Sequence, residues 1–343
     1  MTGVSLLWAL RSPCNLGCRY CYFGTIEEHR EAMPAQPGTL SHLARTDLGL
    51  ATIAAFVQTL PASRVERIFL AGGEPLIWPP IMDVVAGIKA AGVQVVLCTN
   101  GIPLNRPEIV ESILATGVDA VSVSLDSADP GYNDRWRPAR NGVHGHRDVV
   151  AGIQALITAR AADRLPRVGI YSVVTRQTID TVTETAALAA RLGCDYFVPQ
   201  PIALEPEHAL HQQLSLTSSD AEALAAALAQ LYDAPPVQLP APTYADQVID
   251  AVTAETPSLV HGCFGGTDLF FIEPDGSVWD CPSTLKIRAT AAGEGHRSIR
   301  GASATTLFGP GGACADCHLF SADCVNMWPL MGFARFLPTG VPS

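Results

Sequence analysis

Apolar positions along this chain fall into two spacings, short unbroken runs and longer stretches at helical intervals, and the two alternate. Val4 to Leu10 is a first apolar run; it ends at Arg11-Ser12-Pro13 and reads as a strand that delivers a loop. From Asp47 to Leu60 the spacing becomes helical, and Pro61 closes the element. Ile68-Phe69-Leu70-Ala71 then runs into Gly72-Gly73-Glu74-Pro75, a helical stretch spans Ile81 to Ala91, and Val93 to Leu97 runs into Cys98-Thr99-Asn100-Gly101. The order repeats with a helix from Glu108 to Ala115, a strand from Ala120 toward Asp126, a helix near Arg147 to Arg160 and a strand from Val168 to Val174. Thr181-Val182-Thr183-Glu184 has the form of a capping box for the next helix, which Gly193 ends. Tyr196 to Pro199 makes a sixth strand, and Ser219-Asp220-Ala221-Glu222 reads as the cap of an Ala/Leu-rich helix reaching Tyr232. Glu27 to Ser41, with Pro34, Pro37 and Gly38, reads as irregular surface chain.

Strand, loop, helix, strand is the signature of a parallel sheet. Six such strands predict an α/β fold, a partial (β/α)6 TIM-like barrel over residues 1–234. Its chemistry belongs on the loops after the strands, where the first loop, Gly72-Gly73-Glu74, Asn100, Ser124 and Pro199-Gln200 all fall. Pro235-Pro236, Pro240 and Pro242 mark a linker, so that 235–256 reads as linker and helix. The remainder, 257–343, changes character and predicts a small α+β domain. Phe270 to Trp279 reads there as a hairpin about the turn Asp275-Gly276, with Cys263 ahead of it and Cys281 behind.

Composition narrows the class. The chain has 343 residues, 48% hydrophobic and only 16% charged, a globular profile long enough for a large domain and a small one. Its net charge of −11 and lack of a basic stripe argue against a nucleic-acid or membrane-surface partner. With no signal-peptide pattern and no apolar stretch of spanning length, a cytoplasmic protein is expected. Of its 10 cysteines, eight lie in two groups, at 14–21 and 263–324, which in that compartment reads as metal ligation.

The first group, Cys14-Asn15-Leu16-Gly17-Cys18-Arg19-Tyr20-Cys21-Tyr22, has the spacing C-x3-C-x2-C. Three thiolates can hold three irons of a [4Fe-4S] cluster and leave the fourth open to a ligand. A zinc knuckle is the alternative, although zinc prefers a fourth protein ligand and paired C-x2-C spacing. A disulfide pair is disfavoured by the absence of a secretory signal. Cys98 and Cys194 read as buried structural thiols.

The cysteine array with Tyr22 behind it, followed by Gly72-Gly73-Glu74-Pro75 at the end of the second strand, resembles the radical S-adenosylmethionine (SAM) enzymes. The resemblance implies that Cys14, Cys18 and Cys21 hold a [4Fe-4S] cluster whose open iron chelates SAM. It further implies that an electron splits SAM into methionine and a 5'-deoxyadenosyl radical, which takes a hydrogen atom from the substrate. Gly72, Gly73 and Glu74 match the motif for the SAM amino group, and Tyr22 the residue whose backbone meets the adenine. Ser124 and Arg137, the latter taken over Arg135, correspond to the family's serine and arginine that hold SAM, with the spacing off by about one residue.

The C-terminal region resembles the SPASM and twitch auxiliary-cluster domains of the same superfamily: Cys263, Gly276, Cys281, Cys314-x2-Cys317 and Cys324 follow that pattern, with Asn326, Met327 and Trp328 where a further cysteine would stand. This implies one auxiliary [4Fe-4S] cluster, with Cys263 and Cys281 as its first ligands and Cys314, Cys317 and Cys324 to complete it; a structural zinc is the alternative.

Two functions follow from the resemblance. One is a radical SAM oxidoreductase acting on a small polar natural-product precursor of aminocyclitol, sugar or nucleoside type, by oxidation, decarboxylation or epimerisation. The other is a maturase that crosslinks a ribosomally made peptide through thioether or carbon-carbon bonds. With Cys14 so close to the first residue, the sequence shows no leader-binding segment ahead of the cluster loop, which favours the small molecule modestly. Either needs an electron donor such as flavodoxin or ferredoxin. Tyr132, Trp136, Arg140, His144 and His146, in the polar stretch from Asp129 to Arg147, together with Tyr171 and Gln200, are further candidates for substrate contact.

Overall fold

Strand β1, Val4–Arg11, occupies the middle of the sheet, and the rest of the fold is arranged on either side of it. The computed structural model describes residues 3–22, 47–139, 145–160, 165–204, 208–253, 263–282, 297–309 and 322–338. On one side of β1 stand β2 (Val65–Gly72), β3 (Gln94–Thr99), β4 (Ala120–Ser124), β5 (Arg167–Val174) and β6 (Tyr196–Pro201), in chain order and all parallel. On the other side β7 (Leu269–Ile272) pairs parallel with β1, and β8 (Ser277–Trp279) and β9 (Arg297–Ser298) follow antiparallel. The nine-stranded sheet runs β6-β5-β4-β3-β2-β1-β7-β8-β9 and is open.

The longer helices are α1 (Leu50–Val57), α2 (Ile81–Ala90), α3 (Pro107–Ala115), α4 (Pro130–Trp136), α5 (His146–Ala159), α6 (Val182–Leu192), α7 (Ala221–Asp233) and α8 (Pro242–Thr253). Strands buried on both faces are largely apolar, as β1 is from Val4 to Leu10 with Ser5 its one polar residue there, and helices must cover one face. Alternate residues of the strands, Leu6, Trp8, Ile68, Leu70, Val95, Leu97, Val121 and Ile170, meet Ile53, Phe56, Val85, Ile88, Ile113 and Ile153 of the helices. The other face, with Leu7, Ala9, Phe69, Ala71, Val96, Tyr196, Val198 and Phe271, lines the hollow of the half-barrel.

A C-terminal segment fills that hollow near the starts of the strands. Phe333 meets Phe69 and Tyr196 edge-on at 5.1 and 5.5 Å, and Phe336 stacks on Tyr196 at 4.7 Å. Buried Arg67 lies over the Phe333 ring and donates to Gln94 Oε1, so the strand-start end of the hollow is closed by packed rings and one satisfied cation. The hairpin about Asp275-Gly276 is present as expected, and its first strand continues the same sheet as the parallel core.

Three local expectations are corrected. Thr181 stands at the N-cap of α6 but its side chain makes no capping bond: it ends a short 3-10 turn, Ile179–Thr181, and its hydroxyl turns back to the Thr178 carbonyl at 3.3 Å. The capping box before α7 is Thr217 with Asp220, two residues ahead of the expected Ser219, because the turn Ser218–Asp220 intervenes. The stretch after Asp129 contains α4, whose N-terminus Asp129 caps by accepting from Gly131 N and Tyr132 N. Glu27 to Ser41 lies outside the described residues.

Candidate active site

The loop carrying Cys14, Cys18 and Cys21 leaves the C-terminal end of β1, and two neighbouring segments hold its backbone. From one side, Gly17 N donates to Pro138 O at 2.8 Å, Arg19 N donates to Trp136 O at 2.9 Å, and Leu16 bridges Ala139. From the other comes the end of β2, where Gly73 N donates to Arg11 O at 2.7 Å and Glu74 N to Pro13 O at 2.9 Å. This close approach explains the glycine pair. Gly72 has φ +123°, and a Cβ on Gly73 would stand 2.2 Å from Pro13 O, inside any permitted contact.

Glu74 is fully buried and its carboxylate is committed to the protein. Oε1 accepts from Thr99 Oγ1 at 2.8 Å and Leu76 N at 3.0 Å, and Oε2 accepts from Asn100 N at 2.7 Å. Burial pushes its pKa up to about 7 despite these donors. Glu74 is thus a strut between the ends of β2 and β3. Glu74→Ala is expected to leave three buried donors without an acceptor, at about 1–3 kcal/mol each, and to lower the denaturant midpoint of the cluster-free chain accordingly. Beside it, Asn100 Nδ2 donates to Asn15 Oδ1 at 2.7 Å and lies 3.8 Å from Cys14 Sγ.

A second hub sits across the loop. Asp126, 1% exposed, accepts from the Tyr20 hydroxyl, from Arg137 Nε and Nη2, and from Val173 N at 2.8 Å. Burial, and next the Asp126 charge, hold the Tyr20 phenol well above its ordinary range, so it stays a donor. Burial by itself would lower the pKa of Arg137, but Asp126 outweighs it and the guanidinium stays charged. The third guanidinium nitrogen, Nη1, lies 3.8 Å from Cys18 Sγ. Arg135, by contrast, is exposed and lies over the Trp136 ring at 5.0 Å, so of the two arginines it is Arg137 that the fold brings to the loop. Ser124 ends β4 opposite Tyr171, and Tyr22 is the last described residue before 23–46.

The surroundings of the thiols suit a cluster. Burial, with Glu74 behind it, pushes Cys14 up to about 12, and burial raises Cys18 also. Neither would ionise unaided, yet each has N–H groups aimed at sulfur: Leu16 N at 3.4 Å and Asn100 Nδ2 for Cys14, Arg137 Nη1 for Cys18. Buried sulfurs that must carry negative charge when metallated need such donors, and hydrogen bonds to cluster sulfurs are a recurrent feature of iron-sulfur sites. The residues fit. Among the described residues no group of three or more His, Cys, Asp or Glu could hold a single metal ion, whereas a cluster spreads its thiolates over separate irons.

The second cysteine group stands at the opposite end of β1. Cys263 precedes β7, which begins level with Ser5, and Cys281 follows β8 at the same end of the hairpin. A Cβ on Gly265 would stand 3.5 Å from Cys263 Sγ and 3.4 Å from Cys281 Cβ, so both flank this residue. Phe264 meets Trp328 at 4.9 Å, which draws the segment of buried Cys324 toward them. Cys314 and Cys317, like Arg140 and His144, lie outside the described residues. Cys194 is core, and Cys98 packs on the inner face. His146 is buried at the start of α5, where its backbone N donates to Asp134.

Sequence reasoning missed the roles of Tyr20 and Asp126. The signal for Tyr20 was its place inside the cysteine array, one residue before Cys21; Asp126 had none, because Tyr20 and Val173, which it joins to Arg137, lie 106 and 47 residues away.

A cysteine loop held over the C-terminal ends of a parallel half-barrel, where such folds place their chemistry, defines an α/β enzyme built around a cysteine-held centre. The profile of the Radical SAM superfamily matches residues 13–197, and the chain belongs to that superfamily. Membership implies SAM and a [4Fe-4S] cluster. An AdoMet-dependent heme synthase of Methanosarcina barkeri is 28% identical over 290 residues, 80% of this chain and 76% of that protein. The mycofactocin maturase MftC of Mycobacterium ulcerans is 30% identical over 190 residues, 55% of this chain and 45% of the maturase. Two solved structures share the fold at 14% identity: Streptococcus suis SuiB bound to S-adenosylmethionine, TM-score 0.61 over 97% of this chain and 68% of SuiB, and anSMEcpe with bound AdoMet, TM-score 0.63 over 97% and 98%. Among the described residues, no helix is long and apolar enough to cross a membrane.

Proposed function

We propose that Cys14, Cys18 and Cys21 hold the [4Fe-4S] cluster that binds SAM, and that the enzyme takes a hydrogen atom from a small polar precursor lodged in the hollow of the half-barrel. The observation that carries this is the loop itself, with thiols supplied with N–H donors at the open end of the hollow. When bound, the cluster and SAM supply one-electron cleavage of a carbon-sulfur bond and the hydrogen-abstracting group. The protein's part is to hold them. The backbone of Gly72-Gly73-Glu74, Ser124, Arg137 and the backbone of Tyr22 are assigned to SAM. A low-potential donor such as flavodoxin or ferredoxin supplies the electron.

A compact polar substrate is supported by the lining of the hollow. Toward the loop its side chains are small, Ala9, Ala71 and Cys98, and its far end is closed by Phe333 and Phe336. Tyr171 and Glu273 bring further buried polar atoms to this face. The Tyr171 hydroxyl has no hydrogen-bond partner among the described residues. Glu273, by strand alternation after Phe271, accepts from Trp279 Nε1 at 2.8 Å, and its pKa is pushed up to about 8 by burial. The heme synthase, similar over most of the chain, bears a name that is also a small-molecule synthesis. Similarity to the mycofactocin maturase supports peptide modification as the second reading. Cys263 and Cys281, with ligands from among Cys314, Cys317 and Cys324, are assigned one auxiliary [4Fe-4S] cluster.

The test is anaerobic reconstitution followed by SAM and dithionite. About eight irons per chain and formation of 5'-deoxyadenosine are expected; about four irons with no 5'-deoxyadenosine would sink the proposal. Fractions of an extract from the source organism then divide the substrate classes. Faster 5'-deoxyadenosine formation with the fraction that passes a peptide-retaining membrane supports the small molecule, and stimulation by the retained peptides alone transfers the function to the second reading.

A further inference from the structure

We infer that Arg137 is a hydrogen-bond donor to the Cys18 thiolate of the loop cluster. Asp126, helped by Tyr20, is the positioning residue that fixes the guanidinium's direction and cancels its charge, so that the pair sets how readily the cluster accepts an electron. The inference rests on the cluster reading of Cys14, Cys18 and Cys21.

The argument starts from the planar fork of the guanidinium, whose donors point in fixed directions. Asp126 takes the edge formed by Nε and Nη2, the latter at 2.9 Å from Oδ1. That choice leaves Nη1 directed away from the carboxylate, and what lies there is Cys18 Sγ at 3.8 Å. Asp126 cannot release this edge cheaply. Its two oxygens also accept from the Tyr20 hydroxyl and from Val173 N, so its acceptor sites are filled and it is tied to the cluster loop and to β5 at once. Asp126 N donates in turn to Asn133 Oδ1 at 3.2 Å, within the helix that delivers Arg137. Tyr20, the residue between Cys18 and Cys21 that reaches Asp126, makes the loop part of the device. The Arg137 guanidinium also lies over the Tyr20 ring at 5.9 Å.

The charge balance is the second strand of the argument. A guanidinium paired at contact distance with a buried carboxylate has little net field at longer range, so its main effect is the directed N–H toward sulfur. A donor at a cluster sulfur favours the more negative, reduced state. The conventional assignment of Arg137 to SAM uses the same cation, but only the donors that Asp126 and Cys18 leave over.

EPR-monitored redox titration of the reconstituted full chain tests this without substrate, the loop cluster being recognised in the wild-type chain as the signal that changes when SAM is added and in the variants as the signal that remains when Cys263 and Cys281 are also replaced by Ala. In Arg137→Met the ratio of reduced to oxidised loop cluster at a fixed solution potential is expected to fall about tenfold, a shift of about 59 mV for one electron. In Asp126→Asn the guanidinium is left uncompensated, and the ratio is expected to rise. Opposite shifts are the signature, since residues that merely shaped the loop would move both potentials together or neither; shifts of one sign, or none, overturn the inference while leaving the cluster assignment intact. Should either variant not fold, the wild-type chain grown on nitrogen-15-labelled arginine decides. Pulsed EPR of the reduced loop cluster is expected to show a nitrogen-15 coupling, and no coupling overturns the inference. A loop that assembles no cluster at all overturns both this inference and the cluster reading.

Discussion

Cys18→Ala is expected to remove about four irons per chain and to take 5'-deoxyadenosine formation to the assay background, while the fold of the metal-free chain is retained. The size of the effect follows from how the loop is built. Its backbone is pinned by Gly17 and Arg19 to Pro138 and Trp136, and by Arg11 and Pro13 to the end of β2, none of which involves a cysteine side chain. Folding of the loop and ligation by the thiols are therefore separable. Removing one sulfur leaves two thiolates for a cube that needs at least three, and the open coordination site for SAM goes with the cube. Cys14→Ala and Cys21→Ala are expected to behave alike, because the three positions hold one object. Iron analysis, the visible absorbance of the reconstituted protein and quantitation of 5'-deoxyadenosine check the result together. A variant that kept its iron and its SAM cleavage would remove the substituted cysteine from the ligand set.

The parallel core was legible because most positions of its strands are buried and so write themselves as largely apolar runs. Val4 to Leu10, Ile68 to Ala71 and Val168 to Val174 all became strands, each extended by one or more residues. The class of fold found, a mixed α/β structure with an open parallel sheet shared with radical SAM enzymes, is the one those runs predict. Helix α4 was hidden because Pro130-Gly131-Tyr132-Asn133-Asp134-Arg135-Trp136 has almost no apolar period. What stabilises it is its Asp129 cap and the burial of Asn133 and Trp136 against other segments. The capping expectations at Thr181 and Ser219 failed beside the same feature, a 3-10 turn leading into the helix: Thr181 holds the N-cap position without a side-chain cap bond, and the capping box expected at Ser219 lies at Thr217. The pairing of β7 with β1 was out of reach for another reason, since about 260 residues separate strands whose local patterns say nothing of each other.

At the candidate site the same division holds. Cysteine spacing and a glycine pair are local and can be read. The use of Glu74 as a strut to Thr99 and Asn100, and of Asp126 to join Tyr20 to Arg137, depends on contacts across the chain, 106 residues apart in the case of Tyr20. Motif resemblance assigned Glu74 to the SAM motif, and the contacts of its carboxylate with Leu76 N, Thr99 Oγ1 and Asn100 N are a further feature that the motif alone does not reveal.

Simultaneous Cys263→Ala and Cys281→Ala substitution is expected to abolish product formation, to lower iron from about eight to about four per chain, and to leave SAM cleavage running. The reasoning begins with position. The hairpin of β7 and β8 carries both cysteines at the end of β1 remote from the Cys14 loop, so their loss leaves the contacts of that loop untouched. The proposed substrate hollow lies between the two groups and is lined on this side by Leu269, Phe271 and Trp279 of the same hairpin. Loss of a hydrogen atom leaves the substrate one electron above a closed-shell product, and an oxidation needs an acceptor for that electron. With the acceptor removed, methionine and 5'-deoxyadenosine continue to form while the substrate radical is quenched by an electron from the reductant and a proton from solvent, giving back the substrate rather than the oxidised product. The separation of the two readouts is what makes the test sharp. Full product turnover in the double variant would reduce the hairpin cysteines to a structural role, and loss of SAM cleavage together with product would show that they hold the loop end of the sheet in shape rather than receive an electron. Zinc in place of iron in this group would appear in the metal analysis of the wild-type chain as about four irons and one zinc.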